Sequence, residues 1–338
     1  MKALPAGSDV TLITNQGRGF LSNWTGRKVI ICYKKHDAKA LRFLSLSGWY
    51  LQTLWFLLIH LKRGDILVLS TLISSPLLAV RMLRPVEQVR LLVNEVYFRV
   101  PFWRWIGLRL ARSEGVQKCY LSQFVRDAWN FPGPYKIAYP PLRQELLAAA
   151  DDVDMSRSIN PKSLKFFLVA SHIEAKGYKL FIDIARHFEQ LDNGHRFNLY
   201  LSGSKARFDT EFPSGDLPAN LDVKFNCASP HIFMGHDIFL GLTNPNLWIE
   251  TFGLTFAEAM IMGNIIVVPP VGAQLEYVND SDNGFVFRDY SLAGILEQIT
   301  RILEHNNLQT MGNQARQSML NFYATQLPDR NNTTTKTD

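Results

Sequence analysis

Short runs of β-branched and aliphatic residues alternate with longer stretches of helical period along this chain, and that alternation limits its fold more than any other feature. "DVTLIT" (9–14), "KVIICY" (28–33), "DILVLS" (65–70), "VRLLVNE" (89–95) and "QKCYLS" (117–122) read as strands apolar on both faces. Helical stretches fall near 39–61, 75–84, 102–113 and 122–129, and "YKIAYPPL" (135–142) adds a short strand ended by Pro140 and Pro141. Strand–helix–strand repetition implies a parallel sheet with right-handed crossovers. A second set follows: "LKFFLVAS" (164–171), a helix over 177–190, "RFNLYLSG" (196–203), "LDVKFNC" (221–227), "DIFLGLT" (237–243), a helix over 254–262, "IIVVPP" (265–270) and "GFVF" (284–287). Helices near 291–305 and 308–324 close it, while the polar stretch 143–163 reads as an interdomain connection.

The 338 residues suffice for two domains of about 150 residues each. The expected fold class is α/β: two Rossmann-like domains, 1–150 and 160–325, facing a cleft, with a disordered polar tail over 326–338. The cleft, at the carboxyl ends of the strands, is the expected ligand site. The N-terminal half reads as lacking its first strand–helix unit, or as starting one unit late. Gly17 and Gly19 in "NQGRG" do not form a G-x-G-x-x-G turn.

Lys and Arg total 36 against 30 Asp and Glu, a balance that suits an acidic partner such as nucleotide phosphate or an anionic membrane surface. Cys32, Cys119 and Cys227 are scattered, so they read as reduced thiols of a cytoplasmic protein rather than a disulfide or zinc framework. "MKALPAGSDVTLITN" has no apolar signal-peptide region. "LSLSGWYLQTLWFLLIHL" (44–61) reaches the lower limit for a membrane span. Its Ser45, Ser47, Gln52, Thr53 and His60, and its place between strands, favour a buried crossover helix, with partial membrane insertion as the other reading. In "YFRVPFWRWIGLRLARS" (97–113), Phe98, Phe102, Trp103 and Trp105 interleave with Arg99, Arg104, Arg109 and Arg112. That mixture suits an anionic bilayer interface or a lipid-diphosphate acceptor, and equally a crossover helix that buries its aromatics. No nucleic-acid module accompanies it.

The chemistry concentrates in "ETFGLTFAEAMIMGNIIVVPPVGAQLEYVNDSDNGFVF". Glu250 and Glu258 stand with seven residues between them, alongside Gly253, Ala259, Gly263, the loop ending in Glu276, and "DNGFVF". This set resembles the nucleotide-sugar signature of retaining GT-B-fold glycosyltransferases, in particular glycosyltransferase family 4. The resemblance extends back through "FFLVASHIEAKGYKLFIDIA" to cover the second half. It implies a nucleotide-sugar donor, retention at the anomeric carbon, and departure of the diphosphate without a metal or other cofactor. Carboxylates accept well from vicinal diols. Glu258 is therefore expected on the ribose hydroxyls and Glu250 on the transferred sugar. The amides of Gly253, Leu254 and Thr255, with Phe252 beside them, are expected at the diphosphate.

Lys176 fits the family's phosphate-binding lysine, while Ser171 stands where the family has an arginine. His172 is a candidate substitute, and Gly203 a candidate for leaving room at the base. Asn94 and Glu95, at a strand end where family members carry a histidine, are the acceptor-side candidates. The expected function is sugar transfer to a lipid-linked or oligosaccharide acceptor in bacterial surface polysaccharide assembly (O-antigen, capsule or lipopolysaccharide), at the inner face of the cytoplasmic membrane. A GT-B nucleotide-sugar epimerase and an inactive nucleotide-sugar-binding protein are the alternatives.

Overall fold

A computed structural model describes residues 11–14, 28–31, 38–84, 86–96, 101–156, 158–191, 194–213, 215–227, 230–305 and 307–326. Gly17, Gly19, Cys32, Phe98, Arg99 and the tail 327–338 lie outside them. The chain divides into unit 1 (Met1–Tyr120 and Trp129–Lys136) and unit 2 (Leu121–Ala128 and Ile137–Asp338).

In unit 1, β1 (Leu12–Thr14) and β2 (Lys28–Ile30) pair in parallel. Helix α1 (Lys39–His60) follows. Then β3 (Ile66–Leu69), β4 (Gln88–Val93), β5 (Gln117–Tyr120) and β6 (Tyr135–Ile137) make a four-stranded sheet in that order, with β3–β4 and β4–β5 parallel. Helix α2 (Pro101–Ala111) joins β4 to β5. The helix expected over 75–84 is a 3₁₀ run, Leu72–Met82, with Pro76 inside it. Proline has no N–H to give an α-helical ladder, and Thr71 accepts from the Ile73 amide at the start. Lys118, wholly buried in β5, donates its ammonium to the carbonyls of Ser113 (2.7 Å) and Pro132 (2.5 Å).

Helix α1 departs from the expected buried crossover. It buries Leu46, Tyr50, Thr53 and Leu57 and leaves Leu41, Leu44, Leu51, Trp55 and Ile59 exposed. One neighbouring layer can cover only one face of a helix. Among the described residues no helix is long and apolar enough to cross a membrane.

Helix α3 (Gln123–Trp129) belongs, except for its last residue, to the 121–128 segment of unit 2. The stretch 143–163 contributes α4 (Gln144–Asp151), whose Leu146 and Ala150, one turn apart, are buried in the unit 2 core. Its strands are β7 (Lys165–Ser171), β8 (Arg196–Ser202), β9 (Leu221–Phe225), β10 (Ile238–Leu240), β11 (Ile265–Val268) and β12 (Phe285–Val286). They run parallel in the order β12-β11-β10-β7-β8-β9. The crossover elements are α5 (Tyr178–Gln190), α6 (Lys205–Glu211) and α7 (Leu254–Ile261), with α8 (Leu292–Leu303) and α9 (Leu308–Gln326) closing the unit. Helix α5 forms because Tyr178, Phe181, Ile182, Ala185 and Phe188 recur on one face, and all five are buried. β11 is buried at every position, as expected of a strand inside a parallel sheet. The winding direction reverses between β7 and β10, and at such a point diverging crossovers leave a crevice beyond the strand ends.

Candidate functional site

A cavity of about 220 Å³ occupies that crevice. Its floor is the ends of β7 (Leu168 to Ser171) and β8 (Tyr200 to Ser202), with Gly241 to Thr243 just past β10; Lys176, Asn226, Cys227, Glu250, Thr255 and Phe256 complete the wall. Asn226 shapes one side from a left-handed backbone (φ 54°). Its amide clasps the Gly203 backbone, accepting from the N–H at 3.0 Å and donating to the carbonyl at 3.1 Å.

Two glycines set the reactive side. Gly177 has φ 76°, and a Cβ there would lie 1.9 Å from the Leu242 carbonyl oxygen. Only glycine lets the 174–176 turn seat against the end of β10, where Asn244 N–H donates to the Ala175 carbonyl at 2.9 Å. Lys176 is thereby brought beside Glu250, 74 residues further along: Nζ donates to Oε1 at 2.6 Å. Thr243 Oγ1 donates to the same oxygen at 2.6 Å. The lysine also lies 4.9 Å from the centre of the Trp248 ring. Both partners are mostly buried, Lys176 with 19% and Glu250 with 14% of the side chain exposed, so the pair borders the cavity largely shielded from bulk water.

Gly253, also left-handed (φ 76°), starts α7. No side chain caps that helix, and Thr255 in its first turn lines the cavity. Gly253 is among the residues whose amides are expected at the diphosphate. In the fold its bareness is needed inward, since a Cβ would sit 2.6 Å from the Phe256 ring and 3.1 Å from the Tyr277 hydroxyl.

Of the expected donor residues, Ser171, Lys176, Glu250 and Thr255 line one cavity, with Gly253 and Leu254 at the helix start beside them. Glu258 does not line it. Its carboxylate is buried and accepts from Arg143 Nε at 2.8 Å. Burial pushes that carboxyl up, against the pull of Arg143. His172 is also turned away: its ring is buried between Tyr178 and Phe208, with Nε2 3.1 Å from Glu211. Gly203 makes room for His172 rather than for a base, a Cβ there lying 2.7 Å from the histidine's own. Phe252 is core, packed on Tyr139, Tyr277 and Phe322, and its carbonyl accepts from Tyr277.

Asn94 and Glu95 lie in unit 1 and are engaged locally. Asn94 donates to the Ser70 carbonyl at 2.9 Å, and Glu95 accepts from the Thr71 hydroxyl and from the Leu72 amide at 3.0 Å. That is a capped helix start and strand end, not a pair of groups held open. Glu276 likewise accepts from the amides of Gln123 (3.2 Å) and Phe124 (2.7 Å) and from the Tyr139 hydroxyl at 2.6 Å. The Asp-x-Asp triplets at 152–154 and 280–282 are not among the cavity residues. Among the described residues no cluster of three His, Cys, Asp or Glu could hold a metal ion.

Sequence reasoning missed Thr243, Trp248, Arg143 and Asn226. Only Thr243 carried a signal, as the polar residue ending an apolar strand run.

The crevice and the β7–β10 reversal define a doubly wound α/β architecture, and comparison with known proteins narrows the class. Residues 151–318 match the family model described as Glycosyl transferases group 1. No curated protein matches the chain. Among solved structures, HepE of Anabaena in complex with UDP-glucose superposes with a TM-score of 0.62 at 13% identity, over 89% of this chain and 83% of that one. WaaG, a glycosyltransferase involved in lipopolysaccharide biosynthesis, gives 0.65 at 13% identity, over 93% and 87%. Sucrose-phosphate synthase from Thermosynechococcus elongatus gives 0.65 at 13%, over 94% and 85%. The protein has the two-domain α/β fold of the GT-B glycosyltransferases, and its second half matches the group 1 family.

Proposed function

We propose that this protein is a retaining, metal-independent glycosyltransferase, of the hexosyl-transferring kind, that moves a sugar from a nucleotide-sugar donor to a lipid-linked saccharide. The Lys176–Glu250 pair beside the open start of α7 carries the reading. A nucleotide sugar presents a diphosphate and a ring of hydroxyls. Lys176 and the amides of Leu254 and Thr255 supply positive potential for the diphosphate as it takes up charge on departure. Glu250, its carboxylate oriented by Thr243, accepts from hydroxyls of the transferred sugar. Binding the diphosphate draws the ammonium towards phosphate and releases Glu250 to the sugar, so one ion pair serves both ends of the donor. Ser171, on the cavity wall, adds a hydroxyl where an arginine would add charge. Glu258 would reach the ribose hydroxyls only if its pair with Arg143 opens in the same way.

The acceptor reading is supported by the basic, aromatic character of unit 1. It places the protein at the cytoplasmic face of a membrane, in assembly of a surface polysaccharide.

The test is calorimetry with UDP and uridine, followed by transfer from a panel of nucleotide sugars to a lipid-linked saccharide. Lys176→Ala is expected to weaken UDP by about 1.5–3 kcal/mol while sparing uridine. Equal losses for both ligands, or no UDP binding to the parent protein, would remove the site. Nucleotide-sugar binding with an epimerised sugar and no transfer would favour an epimerase.

A further inference from the structure

Unit 1 shows on its outside what a helix of a folded domain ordinarily hides. Leu41, Leu44, Leu51, Trp55 and Ile59 are spaced by three, seven, four and four residues, which puts them on one stripe of α1. Each is at least half exposed, Leu51 at 63% and Trp55 at 67%. The stripe runs along a helix of 22 residues, about 33 Å at 1.5 Å per residue. The opposite face is fixed to the domain by Leu46, Tyr50, Thr53 and Leu57. Helix α2 packs on the flank of α1: Trp103 Nε1 donates to Ser47 Oγ at 3.0 Å, Trp103 lies against Tyr50, and Phe102 meets Phe43 edge-on at 5.9 Å. It adds exposed Phe102 and Trp105, with Arg109 over the Trp105 ring.

Charge identifies the occupant. Neither residues 38–64 nor residues 101–113 contain an acid, whereas Lys62, Arg63, Arg104, Arg109 and Arg112 are all exposed. We infer that the α1–α2 face is a monolayer-docking surface, on which unit 1 lies with α1 in the plane of an anionic bilayer. Leucine, isoleucine and tryptophan enter to headgroup depth, and the arginines and lysine meet lipid phosphates. A second copy of the chain fits less well. A two-fold interface sets a patch against itself and would oppose these cations to one another. This deepens the lipid-linked acceptor reading and rests on it for the biological setting. Vesicle binding needs neither donor nor acceptor, so the two can fail separately.

The experiment is co-sedimentation of the full chain, without substrate, with vesicles of phosphatidylcholine alone or mixed with phosphatidylglycerol. Tryptophan emission and light scattering are recorded on the same samples. Expected are binding to the anionic vesicles that weakens with salt, and a blue shift of emission. Trp55→Glu and, as a second variant, Ile59→Glu should each weaken binding roughly tenfold or more. Arg104→Gln with Arg109→Gln should weaken it several-fold, with UDP binding and the folded circular dichroism spectrum retained. The inference is overturned if the parent protein ignores anionic vesicles, if the Glu variants bind unchanged, or if scattering shows a dimer that Trp55→Glu dissociates.

Discussion

Phe166, Phe167, Phe197, Phe239 and Phe285 of unit 2 are almost wholly buried, whereas Leu51, Trp55, Phe102 and Trp105 of unit 1 stand in the open. Both sets come from apolar runs that look alike in the sequence. What separates them is the number of neighbours each element has. The central strands of a parallel sheet are covered on both faces, so every position must be apolar. Helix α1 packs on one side only, and its second apolar stripe has no intramolecular partner among the described residues. The two units are thus suited to different work. Unit 2 offers well-buried walls that can hold an ion pair in place. Unit 1 offers surface.

The largest expected effect tests whether the chemistry belongs to unit 2. Glu250→Gln removes the carboxylate while keeping its shape, and kcat for sugar transfer should fall roughly 10²–10³-fold, about 3–4 kcal/mol of transition-state stabilisation. UDP affinity should change far less, since the amide still leaves Lys176 and the α7 amides free for phosphate. Steady-state kinetics beside calorimetry reads both, and a fall in affinity with unchanged kcat would reverse the assigned roles. Next comes Gly177→Ala. A methyl group there meets the Leu242 carbonyl from a left-handed backbone. Urea denaturation should show a loss of about 2–4 kcal/mol, which would mark the Lys176 turn as fixed rather than adaptable.

These positions also show how far the sequence could be read. The strand and helix plan was legible because buried parallel strands are apolar at nearly every residue, and helix α5 because its apolar side chains recur on one face. Lys176 and Glu250 were legible as types of group. Their mutual pairing was not, being set by a turn that Gly177 seats against β10. Glu258 and His172 show the converse. Each has the right chemistry and the right local position, but Arg143, 115 residues away, and Glu211, 39 residues away, take them up first. Local pattern does not reveal who arrives from elsewhere in the chain. Asn94 and Glu95 were spent on capping in the same way, by Ser70 to Leu72 across the neighbouring loop. The stripe on α1 was hidden because the other face of that helix is apolar too, which blurs the period.

The Glu211 network in unit 2 has a pH signature. Burial would push the Glu211 carboxyl up, but hydrogen bonds from Lys179, Tyr178 and His172 outweigh it and hold the group down to about 2, from an ordinary 4.5. A carboxyl depressed on folding contributes its stabilisation in full above pH 4.5 and loses it as pH falls towards 2. Glu211→Gln should therefore cost up to about 2–3 kcal/mol near neutral pH. It should also flatten the stability profile across that acid window. Denaturation at pH 7, 4.5 and 3 reads both effects. A variant as acid-sensitive as the parent would place the network's stabilisation in packing rather than in charge.

The smallest effect bears hardest on the comparison, because it predicts nearly nothing. Trp55→Gln removes a large aromatic from α1, and if that ring stands in water the folding free energy should move by no more than about 0.5 kcal/mol. The same kind of change inside unit 2, Phe197→Ala, should cost about 3–5 kcal/mol, since it opens a cavity beneath Phe166, Phe181 and Phe188. Paired urea titrations of these variants set one unit against the other. A cost at Trp55 approaching that at Phe197 would mean that the stripe is already covered in the isolated chain. Its surface could then not be what a bilayer meets, whereas a neutral result leaves the ring where a lipid interface can take it.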